Sequence, residues 1–137
     1  MRRLIVVGML VLAALTACAG PPAADQIIEV TMTDDLRYDP DELRISAGQT
    51  VRFVIHNTGA TVHEFLVGTV EEQAAFADEM SDGHGEVRHA SGAGVSVDPG
   101  ETAEFSYTFE DPGELLVGCH EPGHYEGGMV AEVIVGS

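Results

Sequence analysis

The clearest pattern in the chain is an alternation of apolar and polar positions. In Thr50 to Asn57, Val51, Phe53 and Ile55 alternate with Arg52, Val54 and His56, the two-residue period of a half-buried strand. Further β-rich segments are predicted at Ile27–Met32, Glu42–Ser46, Val62–Val67, Gly94–Val97, Thr102–Phe109, Leu115–Gly118 and Met129–Val135. Turn-forming residues separate them: Tyr38-Asp39-Pro40, Ala47-Gly48-Gln49, Asn57-Thr58-Gly59-Ala60, Asp98-Pro99-Gly100 and Asp111-Pro112-Gly113. One stretch breaks the pattern. Val70 to Met80 is rich in helix formers and has acids in its first turn, so a short helix is expected, followed by a polar loop to about Gly94. Seven or eight short strands with turns between them predict an all-β, two-sheet sandwich with one short helix in an insertion.

The start of the chain is different in kind. Arg2 and Arg3 precede an uncharged run from Leu4 to Ala17, which is too short for an ordinary membrane span and suits an export leader. The run ends Leu15-Thr16-Ala17-Cys18, which looks like a bacterial lipobox. The expected organisation is a lipoprotein signal peptide over 1–17, a lipidated Cys18 with its tether over 18–25, and one domain over 26–137. A plain secretory leader cut near Ala19 or Ala23 is the alternative. The expected location is therefore outside the cytoplasm, either lipid-anchored at the outer face of the cytoplasmic membrane or in the periplasm.

Cysteine count and charge narrow the chemistry. The chain has two cysteines. If Cys18 carries lipid, Cys119 has no disulfide partner, and metal ligation is a good reason for an exported protein to keep a lone thiol. A Cys18–Cys119 disulfide is the competing reading. The net charge is −17, and loss of Arg2 and Arg3 with the leader leaves −19. Such a surface repels nucleic acid and anionic headgroups and attracts cationic partners. It equally serves plain solubility. Membrane association is expected through the lipid alone, and the domain is expected to be a monomer.

The chemistry-bearing segment is Gly118-Cys119-His120-Glu121-Pro122-Gly123-His124-Tyr125-Glu126-Gly127-Gly128-Met129. It presents a thiolate, an imidazole and a thioether at five-residue intervals between two predicted strands. Thiolate, two imidazoles and a weak thioether are the ligands of an electron-transfer copper site, and His63, opening an earlier strand, supplies the second imidazole. The expected metal residues are His63, Cys119, His124 and Met129, holding one type 1 copper ion. Thiolate and imidazole suit both oxidation states and the thioether leans toward Cu(I), so little rearrangement accompanies one electron.

These motifs carry a family resemblance. Asn57-Thr58-Gly59-Ala60-Thr61-Val62-His63 resembles the approach to the first histidine ligand in plastocyanin-like proteins. Cys119, His124 and Met129, with Pro122-Gly123 between them, resemble the ligand loop of rusticyanin. The loop is also similar to that of periplasmic copper-resistance cupredoxins, as is His63-Glu64-Phe65. The resemblance to blue-copper cupredoxins covers about residues 26–136 and implies a Greek-key sandwich with copper near one end. One departure is Glu64, where plastocyanins and azurins typically have an asparagine that ties the ligand loops together. An ionised carboxylate there would favour Cu(II) and lower the potential.

Other residues receive blander expectations. His120 is read as a loop histidine pointing away from the metal, His56 as a surface or sheet-packing residue, Met32 as packing or facing solvent, and Tyr125 as a shield over the copper edge. Met80, His84 and His89, beside Asp78, Asp82 and Glu86, form a candidate weak second copper site, with a solvated loop as the alternative. No paired His-x-His motifs, nucleophile–base pair or open metal position is visible, so no enzyme is expected. The complete ligand set favours an electron carrier. The rival is an extracytoplasmic copper-handling protein for sequestration, delivery or resistance. Either would work with redox or copper-transport partners.

Overall fold

The structure is a computed structural model and describes residues 23–81 and 94–137. Nine strands and one helix lie among the described residues. They are β1 Gln26–Thr33, β2 Arg37–Asp39, β3 Glu42–Ser46, β4 Gln49–Asn57, β5 His63–Gly68, α1 Val70–Ser81, β6 Gly94–Val97, β7 Thr102–Phe109, β8 Gly113–Gly118 and β9 Val130–Gly136. One sheet has the order β2-β1-β4-β7 and the other β3-β9-β8-β5-β6. Pairing is antiparallel except for two parallel pairs, β1 with β4 and β3 with β9. The expected leader, Cys18 and most of the expected tether lie outside the described residues, as do His84 and His89.

Alternation does what it predicts. Val51, Phe53 and Ile55 of β4 are fully buried, whereas Arg52, Val54 and His56 are only partly so. Phe53 of one sheet meets Phe65 of the other with ring centroids 4.9 Å apart, so the aromatic centre of the core spans both layers. β5 is buried at all six positions because the core covers one of its faces and α1 lies over the other. Met32 is a core residue, and His56 is held on the sheet through Nδ1 and the Thr102 hydroxyl, 2.9 Å apart.

The helix starts on a reciprocal cap. The Thr69 hydroxyl accepts the Glu72 N–H at 3.2 Å, and the Glu72 carboxylate accepts the Thr69 N–H at 2.7 Å. One local expectation changes. Tyr38-Asp39, read as part of a turn, belongs to strand β2, where Met32 pairs with Tyr38 and Thr31 with Asp39. Three residues are too few for alternation to register, and the strand forms because Tyr38 is buried in the core.

Candidate metal centre

His63 reaches the site through a corner that the chain builds with one buried asparagine. Asn57 ends β4 with its side chain 2% exposed. Its Nδ2 donates to the carbonyls of Thr61 (2.8 Å) and Val97 (2.9 Å), and its Oδ1 accepts the Gly59 N–H at 2.9 Å. The corner therefore has one shape, and it delivers His63 to the start of β5 with a fully buried ring.

The other donors come from the loop between β8 and β9, which is closed by its own backbone. His124 N–H donates to Glu121 O (2.9 Å), Gly127 N–H to Gly123 O (3.0 Å), Met129 N–H to His124 O (3.0 Å) and Cys119 N–H to Met129 O (3.3 Å). Two residues adopt left-handed backbone, Gly123 (φ 83°) and Gly128 (φ 94°), where a side chain would be strained. The last of these hydrogen bonds joins the two ends of the loop, so Cys119 and Met129 are neighbours in the core and both are fully buried.

Three donor atoms converge. Nδ1 of His63 lies 3.3 Å from Nδ1 of His124, which lies 3.4 Å from Sγ of Cys119. The ligand atoms of His63, Cys119 and His124 all fall within 4.8 Å of one another, the one such group among the described residues. His124 is partly exposed, so the site touches solvent along that edge. Cys119 is a free thiol. Burial pushes it up to about 11, against the opposing effect of hydrogen bonds from backbone N–H groups, Glu64's first among them. The Glu64 N–H donates to Cys119 Sγ at 3.3 Å. Burial, followed by repulsion from His124, lowers the basicity of His63. Two imidazoles and one thiol meeting in a buried pocket, with a methionine sealed beside them, fit a thiophilic ion such as copper.

Two side chains that the sequence did not single out hold this arrangement. Asp34, in the β1–β2 turn, places Oδ1 at 3.3 Å from Nε2 of His63. Its carboxylate also accepts the Ala60 N–H (2.7 Å) and the Thr61 hydroxyl (3.0 Å), and chiefly the first of these lowers its pKa. Gln73 is 1% exposed although it stands on a helix with acids on either side. Its Nε2 donates to the carbonyls of Leu66 (2.9 Å) and Leu116 (3.1 Å), and its Oε1 faces Nε2 of His120 at 2.7 Å. A turn aspartate and a helix glutamine are ordinary in sequence, and no spacing signal marks either one.

The remaining expectations sort as follows. His120 turns away from the pocket, buried against Gln73 and stacked on Tyr125 with centroids 4.6 Å apart. Tyr125 stacks on this ring because the flat face of the imidazole offers it a partner. Glu64 does the tying that the sequence left in question: its buried Oε2 accepts the His120 N–H at 3.0 Å. Met80 lines a cleft of about 210 Å³ together with Ala77, His120, Glu121 and Glu126. Its proposed companions His84 and His89 lie outside the described residues.

Comparison with known proteins agrees with this architecture. A family model for the cupredoxin-like domain matches residues 4–82, a span that includes His63 and stops short of the Cys119 loop. A protein named copper-resistant cuproprotein CopI from Rubrivivax gelatinosus is 38% identical over 112 residues, covering 82% of this chain and 67% of that protein. A protein of the same name from Vibrio cholerae is 33% identical, and the match covers 80% of this chain and 65% of its length, so the matched region falls just short of two thirds of that relative. Among solved structures, dithionite-reduced auracyanin from Roseiflexus castenholzii superimposes with a TM-score of 0.68 at 27% identity, over 85% of this chain and 100% of that one. Auracyanin A from Chloroflexus aurantiacus, described as a "blue" copper protein, gives a TM-score of 0.67 at 29% identity, over 80% and 97%. With two sheets of matching fold, a converging His–Cys–His group and this kinship, the chain belongs to the cupredoxins.

Proposed function

We propose that this cupredoxin binds copper outside the cytoplasm and handles the metal there, holding it and passing it on as a protection against excess. The observation that carries this reading is the kinship: copper-resistant cuproproteins match four fifths of the chain or more at up to 38% identity. In this reading His63, Cys119, His124 and Met129 are the ligands. Copper supplies a strong bond to thiolate and a one-electron couple. The chain supplies the rest. The Nδ1 atoms of His63 and His124 face the pocket, and the buried wall keeps bulk water out. The partly exposed His124 edge is the side on which the ion arrives and leaves. Because the free thiol holds its proton to about 11, loading the site releases that proton from Cys119.

The same domain supports a second reading, electron transfer. It is favoured by the convergence of three donors in the protein alone, which leaves little to rearrange when one electron moves. For either role, lipid on Cys18 would keep this acidic domain at a membrane surface and near redox or copper-transport partners with cationic docking faces.

The test expresses the full chain and Cys119→Ser in a bacterial host lacking its own copy. The native chain is expected to restore growth in copper-rich medium and to show intense thiolate-to-copper absorption after loading. Cys119→Ser is expected to lose both. A fatty-acid label on the same cells reports lipid at Cys18. Unchanged copper tolerance with impaired respiratory electron flow would replace handling by electron transfer.

A further inference from the structure

Asp34 stands 29 residues before His63 in the chain, on the turn between β1 and β2, yet its Oδ1 lies 3.3 Å from Nε2 of that ring. We propose that Asp34 is a positioning residue for the metal centre, holding His63 with Nδ1 toward the pocket and biasing the bound copper toward Cu(II). The proposal rests on His63 being a ligand, as argued above.

Three features of the corner converge on it. An imidazole has one donor and one acceptor nitrogen when neutral, and the partner of one nitrogen decides the state of the other. A carboxylate can only accept, so facing Asp34 the Nε2 atom carries the proton. The Nδ1 lone pair is then left for the pocket, where Nδ1 of His124 is 3.3 Å away. Secondly, the carboxylate is itself held. Ala60 N–H and Thr61 hydroxyl donate to it at 2.7 and 3.0 Å, so the turn and the β4–β5 corner are pinned together by this one side chain. Thirdly, the corner leaves room for it at one residue. A Cβ on Gly59 would collide with Asp34 Oδ1 and would stand 3.1 Å from His63 Nε2. Any larger residue at 59 would push the carboxylate off the ring.

The consequence is electronic. An anion bonded to the far nitrogen makes the imidazole a stronger donor, and it adds negative charge close to the metal. Both favour the ion of higher charge. The couple is Cu(II) taking up one electron to give Cu(I), so a preference for Cu(II) lowers the reduction potential. The Asp34 side chain is 48% exposed while the His63 side chain is fully buried, so solvent weakens this effect without removing it.

The test is electrode voltammetry of the copper-loaded protein, in which the electrode supplies the electron. Asp34→Asn keeps an acceptor oxygen and removes the charge. The preference for Cu(II) over Cu(I) is expected to fall about tenfold, which is a rise of about 59 mV for a one-electron couple. Gly59→Ala displaces the carboxylate without deleting it and should shift the couple in the same direction. If Asp34→Asn does not fold, Gly59→Ala carries the test. A second readout uses the metal-free protein: nitrogen NMR of His63 should show the Nε2–H tautomer in the native chain and a mixture in Asp34→Ala. An affinity ratio within about twofold of native in a variant that keeps the thiolate absorption would overturn the proposal while leaving the ligand assignment standing. Full thiolate absorption in His63→Ala, by contrast, would remove His63 from the ligands and overturn both.

Discussion

The two halves of the metal centre are held by opposite means. His63 sits at the start of a strand, and its outer nitrogen faces a carboxylate whose side chain is 48% exposed. The Cys119–Met129 loop is held from the inside. Glu64 takes its backbone at His120, Gln73 faces the His120 ring, and both clamping side chains are at most 2% exposed. An exposed anion can tune a ligand at little cost, because water compensates for its loss. A buried polar clamp cannot be removed cheaply, because each partner is left without water or a replacement. The difference suggests a division of labour. The histidine side sets the electronic character of the site, and the loop side sets its stability and shape.

Gln73→Ala is the strongest way to break this comparison. It removes the side-chain hydrogen bonds to the carbonyls of Leu66 and Leu116 and the contact with the His120 ring nitrogen. The expected loss is about 3 kcal/mol of folding stability, seen as a lower urea midpoint with an unchanged slope. A loss as small as a surface substitution gives would show that α1 does not brace the loop. Next comes Glu64→Gln, which keeps an acceptor for the His120 N–H but makes the bond neutral, at an expected cost of about 1 kcal/mol by the same measurement. If Asp34→Asn costs more stability than Glu64→Gln, the division between tuning and bracing is wrong. The smallest effect is expected at Arg37, whose Nη1 donates to Gly128 O at 3.1 Å from an exposed position on the loop's outer side. Arg37→Ala should lie within about 0.5 kcal/mol of native and leave the copper absorption in place.

Most of the fold can be read in the sequence because strand periodicity is local. The alternation in Thr50–Asn57 sets which face of β4 is buried, and observed strand bounds at Glu42–Ser46, Gly94–Val97 and Thr102–Phe109 coincide with the expected ones. The short strand β2 escaped because Arg37–Asp39 is too brief to show a period. The close spacing of Cys119, His124 and Met129 is likewise a local signal. A loop of that composition between two strands has few alternatives to closing on itself, and its glycines allow the left-handed turns that closure needs.

The sequence by itself determined the all-β sandwich, the inserted helix and the close spacing of Cys119, His124 and Met129, since each depends on near neighbours in the chain. Only the tertiary structure decided which groups surround those donors. It sent the His120 ring toward the helix and onto Tyr125, gave Glu64 the loop backbone to hold, and drew Gln73 from the helix into the protein interior. It also set Asp34 against His63 across 29 residues of chain. The physical reason is common to all four. A side-chain hydrogen bond between distant segments depends on how two sheets and a helix pack, and packing leaves no periodic trace at the polar residue that exploits it.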